Sequence, residues 1–319
     1  MSELKNTFCW SFSQAQEFAE CKRRHYWNRY GMWGGWNPGA PEDAKTAYRL
    51  KQMQNKWSLI GDAVEEAVLD ALERRRVGAE FSVDASLDLA MKKLRTAWTN
   101  HCSEAWKAKP KKCTCISEIY YGEISISASD DRDEWGKLVK QRTEICLKNF
   151  YQHVLPRLPE VTFEDIVMFA RPEQGDPEHF HVGNIKVYTI PDWVYRRGAE
   201  FIIHDWKTGA RREKHKEQLQ FYGLWAQKKH NVSLDNIQLF VEYLESGEYS
   251  EIEYSSEIAN RLCDKINLSV REMKKFLKDG DIEKNEPLGI DEFPKTQDYS
   301  RCKNCNYREL CNRKFVSEM

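Results

Sequence analysis

The 319-residue chain has no apolar run approaching the roughly 20 residues that cross a bilayer as a helix, and residues 1–6 carry no signal-peptide core. A cytoplasmic, reducing location is the expectation, with no membrane partner. An excess of charge of one sign is also missing: 49 Lys and Arg face 50 Asp and Glu, a formal charge of −1. No bulk field draws such a protein to a polyanion, so any polyanion site has to be local. There is no internal repeat and no low-complexity tract, which argues against solenoid and disordered classes. The G-x4-G-K-[ST] phosphate loop is absent, so the chain is not itself a nucleotide-driven motor. With 41% hydrophobic and 31% charged residues, the composition is that of a soluble globular protein of one large or two ordinary domains.

What is present is cysteine, ten in all. In a reducing compartment this number argues against a disulfide framework and for metal ligation or core thiols. Basic clusters occur at 22–25, 74–76, 107–112, 196–197 and 211–214. Each taken alone reads as a solvated helix face.

Periodicity divides the chain into a helical first half and a mixed second half. Helices are expected at 13–30, with Ser13 as N-cap and Gly31 as stop, at 42–76, at 86–107 and at 133–155. In the second of these, Trp57, Ile60, Val64, Val68, Leu69 and Leu72 are spaced for one buried face. After Pro159 the period falls to two, giving strands at 163–170, 180–195, 200–206, 236–243 and 248–254, with helices at 214–229 and 256–278. The expected fold class is α/β, a central mixed sheet flanked by helices. It divides into a helical region at 1–160, a core at 161–280 and a cysteine-rich tail at 281–319 that packs back on the N-terminus.

The most informative stretch runs from Pro191 to Gly209. Gly198-Ala199 can form a two-residue turn, and folding about it pairs Arg197 with Glu200, Val194 with Ile203, and Asp192 with Asp205. Opposed carboxylates destabilise a ladder, so something positive belongs between them. Alternation puts Lys207 on the face of Asp205, with His204 and Trp206 on the other. Two carboxylates suit Mg²⁺ or Mn²⁺, which lowers the pKa of a bound water and stabilises charge on a phosphoryl oxygen, while a nearby ammonium orients either one. Two ordinary surface aspartates and a structural Lys207–Asp205 ion pair are the alternative reading.

Pro191-Asp192, then Asp205-Trp206-Lys207-Thr208-Gly209, then Gln218-Leu219-Gln220-Phe221-Tyr222 resemble the PD-(D/E)XK nuclease signature with the Q-x3-Y motif of RecB-like exonucleases. The resemblance implies a restriction-endonuclease-like sheet and a metal held by Asp192 and Asp205. It also implies a nucleophilic water assisted by Lys207 and substrate held by Gln218 and Tyr222. Independently, Gln218 and Tyr222 are i and i+4 and share one helix face. Relatives carry a His in an early helix where this chain reads Gly61-Asp62-Ala63-Val64-Glu65. Glu65 stands at that position, with Asp62 and Glu66 as neighbours, and a carboxylate suits a hard cation.

Cys302-x2-Cys305-x5-Cys311 supplies three thiolates, and a tetrahedral metal or cubane cluster takes a fourth. Cys21, in Cys21-Lys22-Arg23-Arg24-His25-Tyr26-Trp27, is similar to the N-terminal cysteine of iron-sulfur RecB-like members, among them AddB-type subunits and CRISPR-associated exonucleases. That resemblance implies a structural [4Fe-4S] cluster, with Zn²⁺ on the same four thiolates as the alternative. Cys113-x-Cys115 is a rival source of the fourth ligand, and Cys9, Cys102, Cys146 and Cys263 read as core fillers. The leading expectation is a metal-dependent DNA nuclease acting on single strands or ends, with Arg23, Arg24 and Arg211 as phosphate contacts and a helicase conceivable as partner. A cluster-bearing DNA-binding or scaffold subunit without cleavage is the alternative.

Overall fold

A computed structural model describes residues 5–168 and 177–311. The helices in chain order are α1 (Phe12–Glu20), α2 (Lys22–Tyr26), α3 (Glu42–Lys51), α4 (Lys56–Arg76), α5 (Val83–Cys102), α6 (Ala105–Ala108), α7 (Ser117–Tyr120), α8 (Ser129–Asn149), α9 (Glu213–His230), α10 (Ser256–Lys274) and α11 (Ser300–Lys303). The strands are β1 (Trp10–Ser11), β2 (Ile166–Met168), β3 (His179–Val182), β4 (Ile185–Tyr188), β5 (Trp193–Arg197), β6 (Glu200–Lys207), β7 (Ile237–Tyr243) and β8 (Glu248–Glu251).

Capping explains where the helices depart from the sequence reading. Ser11, not Ser13, caps α1: its hydroxyl accepts the Gln14 N–H at 3.2 Å. The expected single helix then breaks at Cys21, whose extended backbone starts α2, and the chain runs on as a π turn over Trp27–Gly31. The helix expected at 42–76 is two, because Asn55 starts α4 with a capping box: its Oδ1 accepts from Ser58 N at 2.9 Å, and Ser58 Oγ accepts from Asn55 N at 3.1 Å. The strand expected at 180–195 is β3, β4 and the start of β5, and the end of the one expected at 163–170 lies outside the described residues.

Five strands form a sheet in the order β2-β5-β6-β7-β8, parallel only between β6 and β7. A parallel pair needs a crossover, and α9 provides it. A smaller sheet, β1-β4-β3, contains the N-terminal strand, with β1 parallel to β4. The fold is therefore mixed α/β with helices on both faces of the main sheet, as expected of a restriction-endonuclease-like core.

The period of two along β5 and β6 sorts their side chains between two cores. Trp193, Tyr195, Ile202 and Trp206 pack with α4, α5 and α8, while Val194, Phe201 and Ile203 pack with α9, α10 and β1. Burial of both faces explains why β6 reads as a nearly continuous apolar run until Asp205. On α4 two adjacent rows are buried, Leu59-Ala63-Ala67-Ala71 and Ile60-Val64-Val68-Leu72. Trp57 departs from its expected place in that buried face, being 48% exposed. Cys102, expected in a core, is also exposed, at the end of α5.

A third apolar cluster ties the chain's ends together. Trp27, Met32, Tyr48, Leu50, Trp106 and Tyr307 are buried there, with Cys113, Cys305 and Cys311 packed against them. Arg23 donates from Nε to the Phe293 carbonyl at 2.7 Å, and Asn306 donates to the carbonyls of Leu50 at 3.1 Å and Met53 at 2.9 Å.

Candidate active site

The β5–β6 hairpin turns at Gly198-Ala199, where Gly198 has φ +61°, the conformation the first turn position requires. Its register pairs Arg197 with Glu200, Val194 with Ile203 and Trp193 with His204. One step further, Asp192 stands just outside the ladder, and its Oδ2 accepts the Trp206 backbone N–H at 2.8 Å. The side chain thus replaces the next rung and brings its carboxyl beside Asp205.

Asp205 is 1% exposed. Its Oδ2 is ion-paired with Lys207 Nζ, and its Oδ1 accepts the Tyr222 hydroxyl at 3.3 Å. Tyr222 in turn accepts from Gln218 Nε2 at 2.6 Å, so the i, i+4 pair on α9 bonds directly to the end of β6. Glu65 reaches the same place from α4: its charge acts on both Asp192 and Lys207. Gly61, one turn earlier, faces the end of β6: a methyl there would stand 3.7 Å from Thr208 Oγ1, an ordinary contact. Asp62 and Glu66 are engaged elsewhere, with Gln54 at 2.6 Å and Lys93 at 2.5 Å.

Electrostatics follow from the crowding. Burial pushes the Asp192 carboxyl well above the usual carboxylate range, and the charges of Asp205 and Glu65 push the same way. Burial works against the Lys207 ammonium, but Asp205, Asp192 and Glu65 outweigh it and hold the amine above the ordinary lysine range. Burial, then the charges of Asp205 and Asp192, drive the Tyr222 phenol far up, so it stays a neutral donor.

Among the described residues no three His, Cys, Asp or Glu side chains stand close enough to ligate one ion as they are. The donor set still fits a hard divalent cation, because the three carboxyl groups of Glu65, Asp192 and Asp205 act on one another and on a single ammonium, an all-oxygen set of the kind such ions take. An added cation would relieve the same repulsion that raises Asp192.

A cleft of about 900 Å³ opens at the end of β6, lined by Lys207, Thr208, Arg212, His215, Trp57 and Arg142 among others. His215 escaped the sequence reading. It is 8% exposed, its Nδ1 has no hydrogen-bond partner, and burial followed by the charges of Lys207, Lys214 and Arg212 brings its pKa down to about 4. The available signal was its spacing, three residues before Gln218 and seven before Tyr222 on α9.

The basic candidates divide. Arg211 is exposed on the loop after β6, close enough for its charge to act on Tyr243. Arg23 and Arg24 are taken up by the protein itself, Arg23 with the Phe293 carbonyl and Arg24 with Glu17 at 3.3 Å and Glu20 at 3.7 Å. Neither lines the cleft. Of the cysteines, Cys21 caps α2, its Sγ accepting the Arg24 N–H at 3.4 Å. Burial pushes the Cys305 thiol up to about 11, with the charges of Cys311 and Cys21 adding to it, so these three sulfurs share one neighbourhood. Cys302 sits on α11 in the same segment.

No curated protein matches the chain. A family model, that of the PD-(D/E)XK nuclease superfamily, matches residues 9–312. The match spans the hairpin, α9 and both ends of the cysteine segment, and by it the chain belongs to the PD-(D/E)XK nuclease superfamily.

Proposed function

We propose that the protein is a RecB-like, metal-dependent deoxyribonuclease that hydrolyses phosphodiester bonds of single-stranded DNA or DNA ends. The observation that carries this reading is the convergence of Glu65, Asp192 and the buried Asp205 on one lysine, Lys207, which itself lines a cleft. In it, Asp192, Asp205 and Glu65 hold Mg²⁺ or Mn²⁺. Bound there, the ion supplies a more acidic water and charge stabilisation at the phosphoryl oxygen.

The chain's own residues do the rest. Lys207, kept charged by its carboxylate neighbours, orients the attacking water and one phosphate oxygen. Tyr222 donates to Asp205 and accepts from Gln218, fixing the carboxylate's orientation from the side away from the lysine. The water gives up a proton to solvent as its oxygen bonds to phosphorus and the P–O ester bond breaks, and the leaving oxygen takes a proton from solvent.

A [4Fe-4S] cluster on Cys21, Cys302, Cys305 and Cys311 is the second part of the proposal, with Zn²⁺ as the other occupant of the same thiols. Proximity of Cys21 and Cys311 to Cys305 supports it, and its role is to fasten the chain's ends.

The test is Mg²⁺- or Mn²⁺-dependent degradation of linear DNA by the wild type and by Asp192→Ala, Asp205→Ala and Lys207→Ala. Each substitution is expected to lower the rate by about 10²–10³-fold or more. Activity surviving all three overturns the assignment. DNA binding without cleavage under any divalent ion points instead to a DNA-binding scaffold subunit.

A further inference from the structure

Trp57 is a large aromatic residue left 48% exposed at a position where the apolar spacing of α4 would bury it. It lies on the row Trp57-Gly61-Glu65 at steps of i+4, so it occupies the helix flank that faces the end of β6. Its ring is flanked by cations, with Lys56 Nζ and the Arg142 guanidinium each 5.5 Å from the ring. Arg142 is held in place by its ion pair with Glu245. The cleft that Trp57 shares with Lys207 has six Lys and Arg side chains against three Glu, which is a local polyanion track in a chain of formal charge −1.

We propose that Trp57 is a base-stacking platform in this cleft, on which one nucleobase of an unpaired strand lies while the strand's phosphate is at the carboxylates. This deepens the nuclease reading and rests on it. Trp57 and Glu65 are eight positions apart on α4, about 12 Å along the axis. At ~3.4 Å per nucleotide of a stacked strand, the stacked base is about three to four nucleotides from the phosphate undergoing hydrolysis. A base inside a duplex has both faces covered by its neighbours and cannot use the indole, so the residue favours unpaired strands. Lys56 and Arg142, beside the ring, draw the adjoining phosphates.

The test measures binding of fluorescent oligodeoxynucleotides to the full chain by anisotropy in calcium, using a single strand, a blunt duplex, and single strands with one abasic position moved along the sequence. Trp57→Ala is expected to weaken single-strand binding by about 5- to 150-fold and duplex binding by less than about twofold, while Trp57→Phe retains most of the affinity. For the wild type, the abasic scan is expected to show one sensitive position about three to four nucleotides from the site of cleavage, and Trp57→Ala to abolish that sensitivity. Equal single-strand binding by wild type and Trp57→Ala, or equal losses on single strand and duplex, overturns the proposal. If the wild type cleaves with dependence on Asp205 and either of those results is found, only the stacking role falls. If the wild type neither binds nor cleaves DNA, the nuclease reading falls with it.

Discussion

His215 shows how a single side chain reports on the site around it. Buried beside Lys207, Lys214 and Arg212, it titrates at about 4 in the folded protein, below the ordinary imidazole value of about 6.5. A depressed folded-state pKa means the unfolded chain takes up the proton first, so acid favours unfolding. Stability is expected to be intact above pH ~6.5 and to fall as the pH drops towards about 4. Thermal melts of wild type and His215→Gln across that window check this, and the variant's midpoint is expected to depend less steeply on pH. A steeper dependence in the variant would contradict the neutral, buried imidazole. At this scale the spacing of Asp205 and Lys207 and that of Gln218 and Tyr222 were legible in the sequence, because each pair lies within one strand or helix, whereas Asp192, expected directly opposite Asp205, stands just outside the ladder with its Oδ2 on the Trp206 N–H. Glu65 was legible only by analogy of position, and nothing in the local pattern separates it from Asp62 and Glu66. Their partners Gln54 and Lys93 make the separation, and those come from other elements.

Secondary-structure elements were read correctly in kind, but the helices expected at 13–30 and 42–76 and the strand expected at 180–195 are each more than one element, and the ends were placed less well. Apolar periodicity identified α4, α8, α9 and α10, but their starts depend on which polar side chain reaches a free N–H. Ser11 and Asn55 do so, and Ser13 does not. The very short β1 was missed because two residues hold no period, and its partner β4 lies far along the chain. Two helical glycines give contrasting outcomes on substitution. At Gly61 a methyl would meet only Thr208 Oγ1 at 3.7 Å, an ordinary contact, so Gly61→Ala is expected to stabilise by about 0.5–1 kcal/mol through helix propensity. At Gly223 on α9 the methyl would stand 2.8 Å from the Tyr254 ring, and Gly223→Ala is expected to destabilise by about 1–3 kcal/mol. Urea denaturation of the two variants distinguishes them, and shifts of the same sign would refute the close helix–ring contact at Gly223.

Across the whole molecule, the N-terminal helices and the C-terminal segment are joined by protein contacts in addition to any metal. Arg23 with Phe293, Arg301 with Glu20 at 2.7 Å, and Tyr307 with Asn28 at 3.1 Å all cross that junction. Loss of the proposed cluster is therefore expected to loosen the junction and leave the sheet standing. Purified protein is expected to hold iron and acid-labile sulfide, and Cys305→Ser to lose both and melt several degrees lower with its helical signal retained. Zinc without sulfide would favour the other occupant, and neither metal would refute the site. What the sequence determined by itself is the chemistry carried on single elements: the alternation of β6, the turn at Gly198, and the i, i+4 pair on α9 are local, and local spacing encodes them. Tertiary structure alone decided what meets at the end of β6. The approach of α4 with Glu65 and Trp57, the burial that makes His215 neutral, and the diversion of Arg23 to the Phe293 carbonyl depend on packing between segments far apart in the chain. No short-range pattern records which of two exposed-looking charges will be covered.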